Sequence, residues 1–378
     1  MIDRKDIDEV RNRDFLQIVN HYHDLDAIKT NLVFGARLPY KSFLSIVVPV
    51  YNHPIEFIKR AILSVLYQQC DYTFEVLVID DFAQNKGMSE TEHFLRELKD
   101  ERITYYKNER NLGVFGNWNR GITLANSDWV MILHTDDFCK NNYLQNMKNI
   151  LDAHPEIDQL TCNYKLLNFL NDKIDIAREY EGVEKDTFVR KVKYTEYLYG
   201  MVTSVKGSFY RRQCLLDIGG FRSQNDGIGL DDYPLMMRYA YYYNTYLIED
   251  VLYLDSWGYN DSLNTKHWYP ELVENYYMWL YFAKRERKFL QPAYKAKAKY
   301  LLKKRSLEYH NGTSWVGVKV EIDFDQLKED CNVDYMRGNK AAEFASHAVT
   351  KIVQGLRNRP HRGFSYRIQK YSCNQTLE

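Results

Sequence analysis

Two adjacent carboxylates, Asp136 and Asp137, close the apolar run MILHTDDF (residues 131–138). Side by side they repel, and partial burial at the mouth of a strand removes the water that would screen them, so the pair needs a cationic partner. A divalent metal ion held by hard carboxylate oxygens is one such partner. A helix cap is the other reading, because Asp is a favoured N-cap and CKNNYLQNMKNILDAH (139–154) has a helical pattern. Two more pairs, Asp80–Asp81 and Asp231–Asp232, repeat the arrangement elsewhere in the chain.

The elements that must position these acids are legible over residues 43–134. FLSIVVPV (43–50) is a continuous β-branched run of the kind buried on both faces, and Ile55, Ile58, Ile62, Val65 and Leu66 then recur at helical spacing. FEVLVID (74–80), RITYYKN (102–108) and DWVMILH (128–134) read as further strands, with SETEHFLRELKD (89–100) and FGNWNRGITLAN (115–126) as the helices between them. Alternating strand and helix predicts an α/β fold with a mostly parallel sheet flanked by helices. Right-handed crossovers place every strand's carboxyl end on one rim, where ligands of open α/β sheets bind. That rim receives Pro49, Tyr51 and Asn52, then Asp80 and Asp81, then Asn108 and Asn111, then Asp136 and Asp137. Independent helix caps have no reason to converge in this way, which favours a metal and ligand site.

Outside this region the pattern changes. A helical leader precedes residue 43, and NDKIDIAREYEGVEKDTFVRKVKY (171–194) reads as a polar excursion, a surface hairpin or mobile loop. Beyond residue 265 the chain reads helical and basic, with ten Lys or Arg against two Glu in residues 281–310. The whole chain is balanced, with 51 basic and 51 acidic residues, so no global field draws it to nucleic acid. Six scattered cysteines without CxxC spacing fit a reducing compartment, and the charged start lacks the apolar stretch of a signal peptide. The expectation is a cytoplasmic protein, with AYKAKAKYLLKKR (293–305) either a solvated face or a peripheral contact with the anionic inner face of a membrane.

Taken in order, SIVVPVYN, AILSVLYQQ, FEVLVIDD, NERNLGVFGNWNRGITLANSDWVMILHTDD, IGGF and LDDYPLMMR resemble the family 2 glycosyltransferases, inverting enzymes of the GT-A fold that serve bacterial cell-surface polysaccharide assembly. The resemblance divides the chain into a leader (1–42), a GT-A domain (43–265) and a mainly helical basic C-terminal region (266–378). It implies a nucleotide diphosphate sugar as donor, UDP-linked in the first instance, with Mn²⁺ or Mg²⁺ as cofactor and a glycan or lipid-linked hydroxyl as acceptor. By the same analogy Pro49 and Tyr51 flank the base, with Asn52 beside them, and Asp81 accepts hydrogen bonds from the ring or ribose. Asp136 closes the DxD-type motif and binds the metal, with Asp137 beside it, and Asn111 and Gly220 belong to the donor site. Asp232 is the general base, six residues before Arg238. The motif's opening acid is replaced by His134, and an arginine often present in its asparagine-glycine helix is replaced by Trp118.

Inverting transfer needs a neutralised leaving diphosphate and a carboxylate that takes the acceptor's proton from the opposite face. A nucleotide-sugar phosphoryl-transfer enzyme would carry a Gly-rich loop and Lys after the first strand, and PVYNHP (49–54) has neither. A non-catalytic sugar-nucleotide binding or scaffold protein would keep the rim and have no need of Asp232.

Overall fold

The computed structural model describes residues 3–36, 38, 40–81, 88–169, 172–199, 202–222, 231–257, 265–314, 317–335, 344, 348, 363–371 and 375–377. Its strands are β1 (Thr30–Phe34), β2 (Leu44–Val50), β3 (Phe74–Asp80), β4 (Ile103–Asn108), β5 (Trp129–Ile132), β6 (Phe138–Cys139), β7 (Gln159–Asn168), β8 (Lys185–Val192), β9 (Phe209–Arg211), β10 (Thr245–Trp257) and β11 (Gly363–Ile368). They form one sheet in the order β1-β4-β3-β2-β5-β9-β7-β10-β8-β11, with β6 pairing β10.

The predicted parallel core is present, with β2 parallel to β3 and β5, and β3 parallel to β4. β3 is buried along its whole length, which is why its apolar run does not alternate. Successive residues of β2 feed two cores. Val47 packs on the side of the helices Gly113–Leu124 and Asp232–Tyr242, whereas Ile46 and Val48 pack with the helices Ile55–Leu66 and Tyr143–Ala153. Helix Gly113–Leu124 lies close against the sheet at Gly121, where a Cβ would come within 2.1 Å of Val47 Cγ1.

Past β5 the sheet changes character. β9 runs antiparallel between β5 and β7, while β7 and β10 are parallel to each other. The excursion, expected as a surface hairpin or mobile loop, forms a short helix and a strand of the main sheet. Residues 176–180 form a helix and β8 pairs antiparallel with β10. The outer half of β8 is exposed and charged, which is the reason its pattern resembled a loop.

The leader supplies a helix, Arg4–Asn12, a short 3-10 helix, His21–Leu25, and the edge strand β1 on β4. The C-terminal region supplies the helices Trp268–Ala283, Gln291–Asn311 and Phe324–Asp330, then β11, which pairs antiparallel with β8. In Gln291–Asn311, Tyr294, Ala298, Leu301, Leu302 and Tyr309 are buried with residues of Trp268–Ala283, while Lys295 and Lys304 face outward. Among the described residues no helix is long and apolar enough to cross a membrane.

Candidate active site

The strand order brings the predicted rim together. β3 delivers Asp80 and Asp81, β2 beside it delivers Tyr51 and Asn52, and β5 on its other flank leads into Asp136 and Asp137. Neither acid of the last pair caps the helix that follows. β6 intervenes, and helix Tyr143–Ala153 starts after Asn142.

The two acids have different surroundings. Asp137 is fully buried, and both of its oxygens are engaged by the protein. Ser256 N–H donates to Oδ1 at 2.8 Å, Tyr253 OH donates to Oδ2 at 3.0 Å, and Lys206 Nζ lies 3.3 Å from Oδ2. Lys206 also donates to Asp255 Oδ1 at 2.8 Å. Burial lowers the Lys206 affinity for its proton, but Asp137, Asp255 and Asp136 outweigh that and hold it above the ordinary lysine range. A second cation braces the same turn from behind. Arg60 Nη2 donates to the Asp136 carbonyl at 3.1 Å and to Ser256 Oγ at 3.3 Å. Its guanidinium sits over Phe169, Phe57 and Phe138 at 4.3, 4.5 and 5.2 Å from the ring centroids. Burial pulls Arg60 down to about 10, against the attraction of Asp137 and Asp136.

The counter-charge that the acid pair requires is therefore supplied in part by the chain itself, through residues far away in sequence. Lys206 is a lone charge in the apolar stretch MVTSVKGSF (201–209), and Arg60 falls among the buried residues of a helix; both were signals in the sequence.

A metal still fits. His134, Asp136 and Asp137 each bring one potential ligand atom to within 4.8 Å of the others. His134 Nε2 is a buried nitrogen with no hydrogen-bond partner among the described residues. Burial, then Lys206 and His53, hold the imidazole well below its ordinary pKa, so it is the neutral, ligating form. With Asp137 committed to internal donors, Asp136 and His134 are the side chains best suited to hold a divalent ion, an O and N donor set that Mn²⁺ accepts.

Asp231 and Asp232 also differ. Asp231 is buried, accepts from Arg222 N–H at 2.7 Å and lies 3.5 Å from Arg238 Nη2. Asp232 is half-buried, opens helix Asp232–Tyr242 and accepts from its neighbour's N–H, that of Tyr233, at 2.8 Å. Burial raises its pKa and Asp231 adds to this, while the Tyr233 N–H and Lys206 oppose it. Lys206 thus acts electrostatically on Asp136, Asp137 and Asp232 together.

The remaining candidates occupy varied settings. Tyr51 is 42% exposed just beyond β2, Asn52 takes a left-handed turn (φ 51), and Pro49 lies in β2 opposite Ile79. Asp81 is buried, and its Oδ1 accepts from Asn108 at 2.9 Å and from Leu112 N–H at 2.7 Å, so it pins the 108–113 turn. Asn111 accepts from Gly113 N–H and lines a cavity of about 300 Å³ between the leader's His21–Leu25 and the helix Gly113–Leu124. Gly220 (φ +75) is a buried turn residue whose Cβ would meet Asn119 Oδ1 at 2.6 Å and Tyr22 at 2.7 Å. The structure accordingly groups His134, Asp136 and Asp137, with Lys206 linking them electrostatically to Asp232, while Gly220 packs against Tyr22 of the leader and Asn111 lines the cavity beside it.

Residues 45–205 match the family described as Glycosyl transferase family 2. An uncharacterized glycosyltransferase of Methanocaldococcus jannaschii is 29% identical over 163 residues, 42% of this chain and 53% of that one. The succinoglycan biosynthesis protein ExoO of Rhizobium meliloti is 33% identical over 110 residues, 29% of this chain and 30% of its own. The chain thus spans about half the length of the first relative and less of the second. The crystal structure of S. aureus TarS 1–349 has the same fold, with a TM-score of 0.51 at 18% identity over 78% of this chain and 80% of that one.

Proposed function

Because this chain carries a family 2 glycosyltransferase domain over residues 45–205, we propose that it is a metal-dependent inverting enzyme moving a hexose or N-acetylhexosamine from a nucleotide diphosphate sugar to an acceptor hydroxyl. The observation that carries this reading is the pairing of His134 and Asp136 at one strand mouth with Asp232 at a helix head, both within the field of Lys206. Asp136 and His134 would hold the ion, which when bound neutralises the leaving diphosphate. Asp232, its pKa raised by burial, takes the proton from the acceptor hydroxyl as that oxygen attacks opposite the leaving group. Tyr51, exposed at the rim, offers a ring face to the base. The acceptor is a glycan or lipid-linked saccharide of surface polysaccharide assembly, a reading supported by the similarity to a succinoglycan biosynthesis protein. Contact with an anionic membrane would rest on the outward lysines of Gln291–Asn311, because its apolar side is covered by Trp268–Ala283.

Calorimetric titration with UDP-, GDP- and dTDP-sugars, with and without Mn²⁺, tests the proposal. One nucleotide should bind only with metal, and Asp136→Ala should lose it. Binding indifferent to both metal and Asp136 would remove the basis of the mechanism.

A further inference from the structure

Lys206 does more than balance buried acids. We infer that it is the cation that meets the donor's diphosphate, leaving its internal carboxylates when metal and nucleotide enter. The inference rests on the donor-site reading above and goes beyond it by naming a residue that touches the leaving group.

Two cations reach the carboxylate cluster among the described residues, and they differ in freedom. Arg60 is 8% exposed, enclosed by three aromatic rings and tied to a backbone carbonyl and a serine. Lys206 keeps a side chain 20% exposed, on a flexible four-carbon stem, with its ammonium shared between Asp137 and Asp255. Its backbone is fixed where its side chain is not. Lys206 N–H donates to Ser204 Oγ at 3.2 Å, and Gly207 follows in a left-handed conformation (φ +61) with Tyr253 packed against it. The ammonium is thus presented from a rigid turn and held by ion pairs to Asp137 and Asp255.

A divalent ion held by Asp136 and His134 would supply the counter-charge to the acids, and Lys206 could then leave Asp137 and Asp255. The diphosphate arriving with the ion offers Lys206 a new partner. In the transfer the bond between the anomeric carbon and the β-phosphate oxygen breaks, and the electron pair stays on that oxygen. The acceptor oxygen forms the new bond to the anomeric carbon, and its proton goes to Asp232. The charge that appears on the β-phosphate is met by the Lys206 ammonium, which donates a hydrogen bond and keeps its proton.

The test compares UDP with UMP, GDP with GMP and dTDP with dTMP, each titrated with MnCl₂ into the wild-type protein, Lys206→Met and Lys206→Arg. For the nucleotide that binds, Lys206→Met should weaken the diphosphate by about 10- to 100-fold, the range of a hydrogen bond to a charged group, and leave the monophosphate unchanged. Lys206→Arg should retain most of the diphosphate affinity. Mn²⁺ alone should bind Lys206→Met at least as tightly as wild type, because Asp137 is released. If Lys206→Met does not fold, Lys206→Met/Asp255→Asn removes the cation with one of its acids and takes its place. Equal loss of mono- and diphosphate, no loss of either, or loss of Mn²⁺ binding by the variant overturns the inference. A wild-type protein that binds none of the three diphosphates overturns the donor-site reading itself.

Discussion

Arg222 Nη2 lies 2.6 Å from Glu274 Oε1, a buried ion pair that ties the turn after Gly220 to helix Trp268–Ala283. Arg13 of the leader donates to the same Glu274 oxygen, and Arg222 N–H donates to Asp231, the residue before Asp232. The helix carrying the proposed base is thus tied to the leader and to helix Trp268–Ala283. Removing one member of such a pair leaves an uncompensated charge, so Glu274→Gln should cost about 3–5 kcal/mol, read as a fall in thermal midpoint. An unchanged midpoint would show that the relay carries no stability.

Asp232→Asn keeps the shape of the helix start and removes the carboxylate. Turnover should fall by about 10²- to 10⁴-fold with donor affinity unchanged, measured by initial rates and titration calorimetry. Full turnover in this variant would transfer the role of base to another group.

The pH profile carries a sign. Asp232 must be ionised to accept a proton, and burial together with Asp231 raises its pKa, against Tyr233 N–H and Lys206. The rate should therefore rise with pH through a value above the ordinary carboxylate range and be lost below it. Asp232 in turn raises the pKa of Glu271 and Glu274. Glu271 is itself pushed up to about 7, by burial and then by Asp232, against Arg305. Because Glu271 keeps its proton up to about 7, it is uncharged across the acid limb, and Glu271→Gln should leave that limb in place. A limb displaced by this variant would show that Glu271 is ionised beside the base.

Adjacent acids should give opposite phenotypes. Asp136→Asn should abolish metal-dependent nucleotide binding with a small change in thermal midpoint. Asp137→Asn leaves Lys206, Tyr253 and Ser256 facing a weaker acceptor, so it should destabilise by about 3–5 kcal/mol. Melting curves and Mn²⁺ titration of the two variants together decide the matter, and identical behaviour would refute the division of roles.

Packing gives a further check. Gly121→Ala drives a methyl into Val47, and over-packing of this kind costs about 1–3 kcal/mol. Since Val47 lies in β2, whose carboxyl end forms the rim, the loss should appear in donor affinity as well as in melting.

The first four strands of the parallel region and their helices were legible in the sequence, because strands buried on both faces carry unbroken β-branched runs. FLSIVVPV (43–50) and FEVLVID (74–80) are such runs, and β2 and β3 fall within them. The rim acids were legible for the same reason, since topology fixes where strand ends go. β8 was not, because its outer residues are charged and only Val189, Arg190 and Val192 are buried. Which charges pair was not legible either, although Lys206 and Arg60 stand out among apolar neighbours. Lys206 meets Asp137 and Arg222 meets Glu274 across separations that no local pattern encodes. A resemblance to a family supplied roles for Asp136 and Asp232, and the packing of Gly220 and the pinning function of Asp81 emerged only from their contacts.

Both borders of the sheet are built from outside the region that resembles the family. β1 covers β4, and β11 covers β8, where Gln369 O also accepts from Asn142 and Asn146. A protein trimmed to residues 43–265 would present two unprotected rows of amide and carbonyl groups to its neighbours. Expression of that fragment should yield aggregates or strand-exchanged assemblies, and any attempt to miniaturise this protein must carry its two selvedges along.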